Sequence, residues 1–136
     1  MTRIGKRAAR TVAAFCLSVS ASALSASGPL PIHVTCDGPT HAPLCTALAL
    51  ILEDTQPRDV VVMYTPAPQG AAVLTVHYTA LQSDADAMAG HLTWMDRQGH
   101  AGQGPTIALS VQDAPINKTL LATYAGELLR FSALPL

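Results

Sequence analysis

Two histidines, His77 and His91, are the residues whose type and spacing come closest to a metal site. Each alternates with threonines in a short apolar segment, which predicts two β-strands with the histidines on the polar face. A turn centred on Asp84 would place the two imidazoles directly opposite each other, with Cβ atoms about 5 Å apart. Such a pair can bind Zn²⁺ or Cu²⁺, and Met95 could add a further ligand.

The competing interpretation of His77 and His91 is a pair of solvated surface histidines. A strong zinc site has three or four ligands, and the two strands supply only two imidazoles. A shift of two residues in the strand register would also separate the histidines. The sequence therefore predicts a two-histidine metal site at most, and it predicts no cofactor.

Two histidines lie near the two cysteines that follow residue 23. His33, Cys36, His41 and Cys45 have the ligand types of a Cys₂His₂ zinc site, but the cysteines lack the C-x₂-C spacing common in such sites. Thiols of exported proteins normally oxidise, so an even pair of cysteines favours a disulfide. We therefore predict a bond between Cys36 and Cys45, which would join the end of a strand to the first turn of a helix.

The remaining motifs favour turns over catalytic sites. The glycine-rich segment 97–105 joins two predicted strands and lacks the Lys-Ser/Thr of a P-loop. Segment 83–86 carries two aspartates, which is typical of a tight turn and offers too few oxygens for calcium. No nucleophile elbow or HExxH sequence occurs. The sequence thus favours a non-enzymatic protein, and any catalytic site would have to combine residues distant in sequence.

The first 23 residues have the layout of a secretory signal peptide. Four basic residues precede an apolar segment from Thr11 to about Val19, and Ala21 and Ala23 mark a cleavage site. That segment is shorter than the about 20 residues that span a bilayer, so an uncleaved anchor is the less favoured alternative. We expect a periplasmic or secreted protein with no membrane insertion after cleavage.

The charge of the mature chain excludes several classes of partner. Without residues 1–23, four basic and nine acidic residues remain, for a net charge of −5. So few cations cannot neutralise a nucleic-acid backbone or favour an anionic membrane surface. With 49% hydrophobic and 12% charged residues, the 136-residue chain is too apolar for a disordered protein.

Hydrophobic periodicity predicts the element order β-α-β-β-β-β-α. The predicted strands cover residues 31–36, 60–65, 73–81, 88–96 and 106–112. The second of them is a continuous β-branched run, so we expect it to be central or covered on both faces. One predicted helix starts at Thr40 or Ala42 and ends near Asp54. The other is capped by Asn117, and its predicted buried stripe is Leu121, Tyr124, Leu128 and Phe131.

These elements predict an α+β fold, a two-layer sandwich with two helices on one face of a mostly antiparallel sheet. Residues 24–30 would form a flexible arm, and residues 31–136 a single domain. The favoured function is an exported, non-enzymatic interaction or assembly module of the cell envelope with an unidentified protein partner. The alternatives are a small periplasmic metal-binding protein using His77 and His91, and an enzyme with a dispersed site.

Overall fold

The computed structural model describes residues 30–65, 68 and 70–136, so the signal peptide predicted for residues 1–23 lies outside the described part. A single turn of 3₁₀ helix, Pro39–His41, precedes the first long helix. In chain order the strands and long helices are β1 (Ile32–Cys36), α1 (Ala42–Thr55), β2 (Val60–Met63), β3 (Leu74–Ser83), β4 (Ala87–Asp96), β5 (Ala101–Gln103), β6 (Ile107–Ser110) and α2 (Lys118–Phe131).

The strands form one mixed sheet in the order β2-β1-β3-β4-β5, and β6 also pairs with β4. β1 runs parallel to both β2 and β3, whereas the three pairings of β4 are antiparallel. Both helices contribute to one hydrophobic core with the strands. The predicted α+β class, with two helices packed on a sheet, is confirmed.

Two details of the sheet differ from the prediction. β2 is an edge strand rather than a central one, because β1 occupies the position between β2 and β3. Its β-branched side chains are accordingly only half-buried, and Val61 is exposed. A sixth strand, β5, lies within the glycine-rich segment that the sequence indicated as a loop.

The core is made by alternate residues of the strands. In β1, β3 and β4 the even-numbered positions Val34, Val76 and Leu92 are completely buried against the helices. The helices present Leu44, Leu48 and Leu52 from α1 and Tyr124, Ala125 and Leu128 from α2. Because successive side chains of a strand point to opposite faces, the odd-numbered positions lie on the face away from the helices.

The end of α2 was predicted only in part. Asn117 caps the helix as expected, since its side-chain oxygen accepts the Leu120 backbone N–H at 2.8 Å. Phe131, predicted to be buried, is 53% exposed, and the Arg130 guanidinium lies 5.2 Å from the centre of its ring. The buried positions of the helix are Tyr124, Ala125 and Leu128, and Phe131, its last residue, lies outside the core.

Two tyrosines join the helical layer to the sheet. The Tyr124 hydroxyl donates to the Ile107 carbonyl oxygen at 2.8 Å, so the Tyr78 hydroxyl, 3.1 Å away, donates to Tyr124. Burial is the main cause that raises the pKa of both phenols, so both stay neutral at ordinary pH. Gly90 makes room for this pair, because a Cβ there would overlap the Tyr78 ring and the Thr79 carbonyl oxygen.

Gly90→Ala should therefore destabilise the protein by about 1–3 kcal/mol, as overpacking of a dense core does. Gly126→Ala is the matched control, because a Cβ in that part of α2 would meet only Ile51 Cδ1 at 3.9 Å. The control should stabilise the helix by about 0.5–1 kcal/mol. Chemical denaturation of the two variants measures both effects, and equal stabilities would contradict this packing.

Candidate functional site

The sheet face away from the helices carries an open groove of about 890 Å³. Its polar side chains come from the odd-numbered positions of the three inner strands: His33, Thr35, Thr75, His77 and Thr93. Apolar side chains also line it: Met63 and Tyr64 at the β2 edge of the sheet, and Met95 near the end of β4. Asp96 and Arg97 line it as well, so the groove combines hydrogen-bonding groups, two of them charged, with apolar contacts, which is the usual composition of a binding site.

Strand pairing decides which polar groups of the groove are neighbours. Thr35 on β1 lies opposite His77 on β3, and His77 lies opposite Thr93 on β4. One row across the sheet thus reads threonine, histidine, threonine. In the adjacent row His33 lies opposite Thr75.

The predicted opposition of His77 and His91 is not found. His77 faces Thr93, and His91 faces Thr79, so the two histidines are diagonal neighbours rather than a direct pair. Diagonal positions have Cβ atoms about 7–8 Å apart instead of about 5 Å.

The position of the turn explains the difference in register: it was predicted to be centred on Asp84, but the pairing of Ser83 with Met88 puts its centre between Ala85 and Asp86. The turn pairs Ser83 with Met88, and the register then shifts by one residue between Ala80 and Gln82. Leu81 is the extra residue and is exposed. A one-residue shift exchanges the two faces of a strand, so the bulge brings the core positions of β3 and β4 back to one face. With the later turn and the bulge together, the residues of β3 before Leu81 pair two positions away from the partners predicted for them, as His77 does with Thr93 instead of His91.

His77 has two other partners, both from β1 or the residue after it. Its Nε2 lies 2.9 Å from Oδ1 of Asp37, and its Nδ1 lies 2.6 Å from Oγ1 of Thr35. The second carboxylate oxygen of Asp37 accepts the Ala80 backbone N–H at 3.2 Å. The sequence analysis missed this cluster, because parallel pairing of β1 with β3 brings together residues about forty positions apart and leaves no local pattern.

His33 is the most deeply placed polar group of the groove. The residue is 7% exposed, and its Nδ1 is buried without a hydrogen-bond partner among the described residues. The same holds for Nδ1 of His91. An unpaired buried polar nitrogen costs about 1–3 kcal/mol, so a ligand that supplied the missing partner would recover that free energy on binding.

The four residues considered as a zinc site have separate roles. Cys36 and Cys45 are joined by a disulfide, with Cα atoms 6.0 Å apart. His41 packs its ring edge against Tyr78 in the core, and His33 lies on the open face. The disulfide links β1 to the first turn of α1 and so restrains the chain on both sides of Asp37.

A second histidine–aspartate pair lies at the margin of the groove. Nδ1 of His100 is 3.0 Å from Oδ2 of Asp96, and Oδ1 accepts the backbone N–H groups of Gln98 and His100. Desolvation opposes ionisation of Asp96, but these hydrogen bonds and the His100 charge outweigh it and lower the pKa of Asp96. The pair closes the β4–β5 turn and has no hydroxyl partner among the hydrogen bonds of the described residues.

The geometry leaves metal binding by His77 and His91 as a prediction. Within residues 30–65, 68 and 70–136, no three His, Cys, Asp or Glu side chains are grouped closely enough to hold a metal ion. The same residues contain no helix with the length and hydrophobicity of a membrane span.

Comparison with known proteins adds little to this description. No protein family model matches the chain, and no curated protein matches it. Among solved structures, the chain is similar to a minor lipoprotein from Acinetobacter baumannii, described by a 2.35 Å crystal structure. The identity is 15%, the match covers 74% of this chain and 89% of that chain, and the TM-score is 0.36. At this level of similarity nothing about function follows for this chain.

Titration with Cu²⁺ and Zn²⁺ tests the metal-binding interpretation. Because both ring nitrogens of His77 already have partners, we expect affinities no tighter than about millimolar. His77→Ala and His91→Ala should leave these weak affinities unchanged. Micromolar binding that either substitution abolishes would instead show that the two histidines act together on a metal.

Reduction of the disulfide should lower the free energy of unfolding by about 2–3 kcal/mol, the value that chain entropy gives for a short closed loop. The double variant Cys36→Ala, Cys45→Ala should lose a similar amount, with an added cost for the cavity left at these buried positions. Urea denaturation with and without reductant measures the effect. Intact-mass analysis that finds both thiols free in the exported protein would contradict the bond.

Proposed function

We propose that this protein is an exported module of the cell envelope that binds a partner protein through the open groove of its sheet. One observation carries the proposal: the uncovered face has a groove lined by hydroxyl and apolar groups, and His33, a buried residue of that lining, has no hydrogen-bond partner for its Nδ1 among the described residues. Buried polar groups in folded proteins nearly always have partners, so an unpaired one beside a groove favours a missing ligand.

The lining of the groove indicates what the partner would present. Its inner strands carry threonines and histidines, and Met63, Tyr64 and Met95 provide apolar surface at the sides. Charged groups are few, so a side chain with an apolar stem and an uncharged hydrogen-bonding end fits best. The net charge of −5 after residue 23 argues against nucleic acid as the partner.

The edge strand β2 offers a second contact for the same partner. Among the described residues no strand pairs with its outer side, and its four residues carry no charge. Met63 and Tyr64 also line the groove, so an extended segment lying in the groove would reach this edge and could add to the sheet.

Export is supported by the sequence and by the cysteine geometry. Residues 1–23 have the pattern of a secretory signal peptide, and the disulfide joins two cysteines on adjoining elements. Disulfides persist in oxidising compartments such as the bacterial periplasm, so both features favour the envelope over the cytosol.

Photo-cross-linking in cells tests which face binds. A benzophenone amino acid placed at Met95 or at Thr93 should capture one common protein product, because both positions line the groove. The matched control carries the same amino acid at Glu127, an exposed position of α2. Adding Thr75→Trp should remove the common product by filling the groove.

Either of two results would overturn the proposal. A common product captured equally at Glu127 would place binding elsewhere, and a product that persists with Thr75→Trp would show that the groove is not used. Circular dichroism must first show that each variant keeps the wild-type fold. The smaller substitution Thr75→Met replaces Thr75→Trp if that variant fails to fold.

A further inference from the structure

Three side chains at the end of β1 and the middle of β3 form a continuous hydrogen-bonded chain. Asp37 lies 2.9 Å from Nε2 of His77, and Thr35 lies 2.6 Å from Nδ1 of the same ring. A carboxylate only accepts hydrogen bonds, so Nε2 carries the proton of the neutral imidazole. Nδ1 is then the acceptor, and the Thr35 hydroxyl donates to it.

The backbone fixes the positions of Thr35, His77 and Asp37. Thr35 and His77 are paired across two parallel strands, and Cys36, between Thr35 and Asp37, is tied to α1 by the disulfide. Asp37 is also held through Ala80, whose N–H it accepts at 3.2 Å. The alternative acceptor for the Thr35 hydroxyl is the Val76 carbonyl oxygen, but at 3.5 Å it is a much longer contact. Groups on paired strands are positioned more accurately than groups on loops.

Carboxylate, imidazole and hydroxyl follow one another in the order found around an activated hydroxyl nucleophile. A carboxylate orients the imidazole, the imidazole accepts the hydroxyl proton, and the hydroxyl oxygen is left to attack an electrophile. Thr35 and His77 both line the groove, so a bound molecule can reach them. The hydrogen-bonded side chains are also accessible to solvent: those of His77 and Asp37 are 36% and 48% exposed.

His91, on the same face, and the His100–Asp96 pair lack this combination. The His100–Asp96 pair has no hydroxyl partner in the described hydrogen bonds. His91 is opposite Thr79, but its Nδ1 has no hydrogen-bond partner within residues 30–65, 68 and 70–136. These two histidines therefore serve as internal controls for ordinary imidazole reactivity.

We infer that Thr35, His77 and Asp37 form a nucleophilic site that cleaves carboxylic esters whose acyl group lies in the groove. This goes beyond partner binding and does not depend on it. Met63 and Met95 supply apolar contact for a short acyl chain. His33, two residues before Thr35 on the same face, also lines the groove, and we assign its imidazole to the ester carbonyl oxygen.

The reaction proceeds in two balanced steps. First, the Thr35 oxygen forms a bond to the acyl carbon, its proton moves to Nδ1 of His77, and the ester C–O bond breaks as that proton passes to the leaving alcohol. Second, water attacks the acyl-threonine, gives a proton to Nδ1, and the acid departs as Thr35 recovers its proton. Asp37 holds the ring in place throughout.

Hydrolysis of p-nitrophenyl butyrate by the exported protein with its disulfide intact tests the site. Thr35→Val keeps the shape of the side chain and removes the hydroxyl, so the rate should fall by about 100-fold or more, toward the rate without protein. His77→Gln should cause a similar loss, whereas Thr35→Ser should retain activity because it keeps the hydroxyl. His91→Gln and His100→Gln should leave the rate unchanged.

A covalent probe separates this mechanism from simple imidazole catalysis, since exposed histidines also attack activated esters. A sulfonyl fluoride should add to Thr35, as peptide mass mapping would show, and the adduct should be absent from His77→Gln. Activity that survives Thr35→Val, an adduct on a histidine instead, or no hydrolysis above the protein-free rate would each overturn the inference. None of these results would alter the cross-linking outcome at Met95, so the partner-binding proposal is judged separately.

Discussion

The one-residue bulge at Leu81 is the constraint on which the rest of this structure depends. The turn between β3 and β4 pairs Ser83 with Met88, and without correction this register would turn Val76 and Leu92 to opposite faces of the sheet. The bulge restores a common buried face for both strands, and the helices pack on it. By the same shift it sets His77 opposite Thr93, so the core packing of β3 and β4 and the pairing of their residues on the open face have one cause.

The helices and the sheet are joined where the rings of Tyr78 and Tyr124 pack next to Gly90. Gly90 lets the Tyr78 ring lie across β4, and the Tyr78 and Tyr124 hydroxyls then connect β3, α2 and the backbone of β6. Gly102 has a similar relation to Trp94 in the neighbouring pair of strands, because a Cβ at Gly102 would overlap the indole. Glycines that leave space for an aromatic ring on the next strand help to fix register, which is consistent with the well-defined rows on the opposite face.

Much of the fold could be predicted from local patterns. The apolar stripes of both helices, the Asn117 cap and the alternation within β3 and β4 each follow from spacing over a few residues. The position of β2 at the edge could not be predicted in this way, because a β-branched run indicates a strand and not its neighbours. Phe131 was misplaced because helical spacing alone does not show which positions of the last turn reach the core: Leu128 does and Phe131 does not.

The candidate site was the least predictable part of the structure, because no local sequence pattern links its residues. Asp37 has the features of a turn residue, and its contact with His77 arises only because β1 and β3 are parallel neighbours. The most direct test of the account is the tautomer of His77 in the folded protein, measured by long-range ¹⁵N–¹H correlation NMR together with cross-strand nuclear Overhauser effects. The account predicts a proton on Nε2, an unprotonated Nδ1 and contact of His77 with Thr93. A proton on Nδ1 of a neutral ring, or direct opposition of His77 and His91, would contradict it.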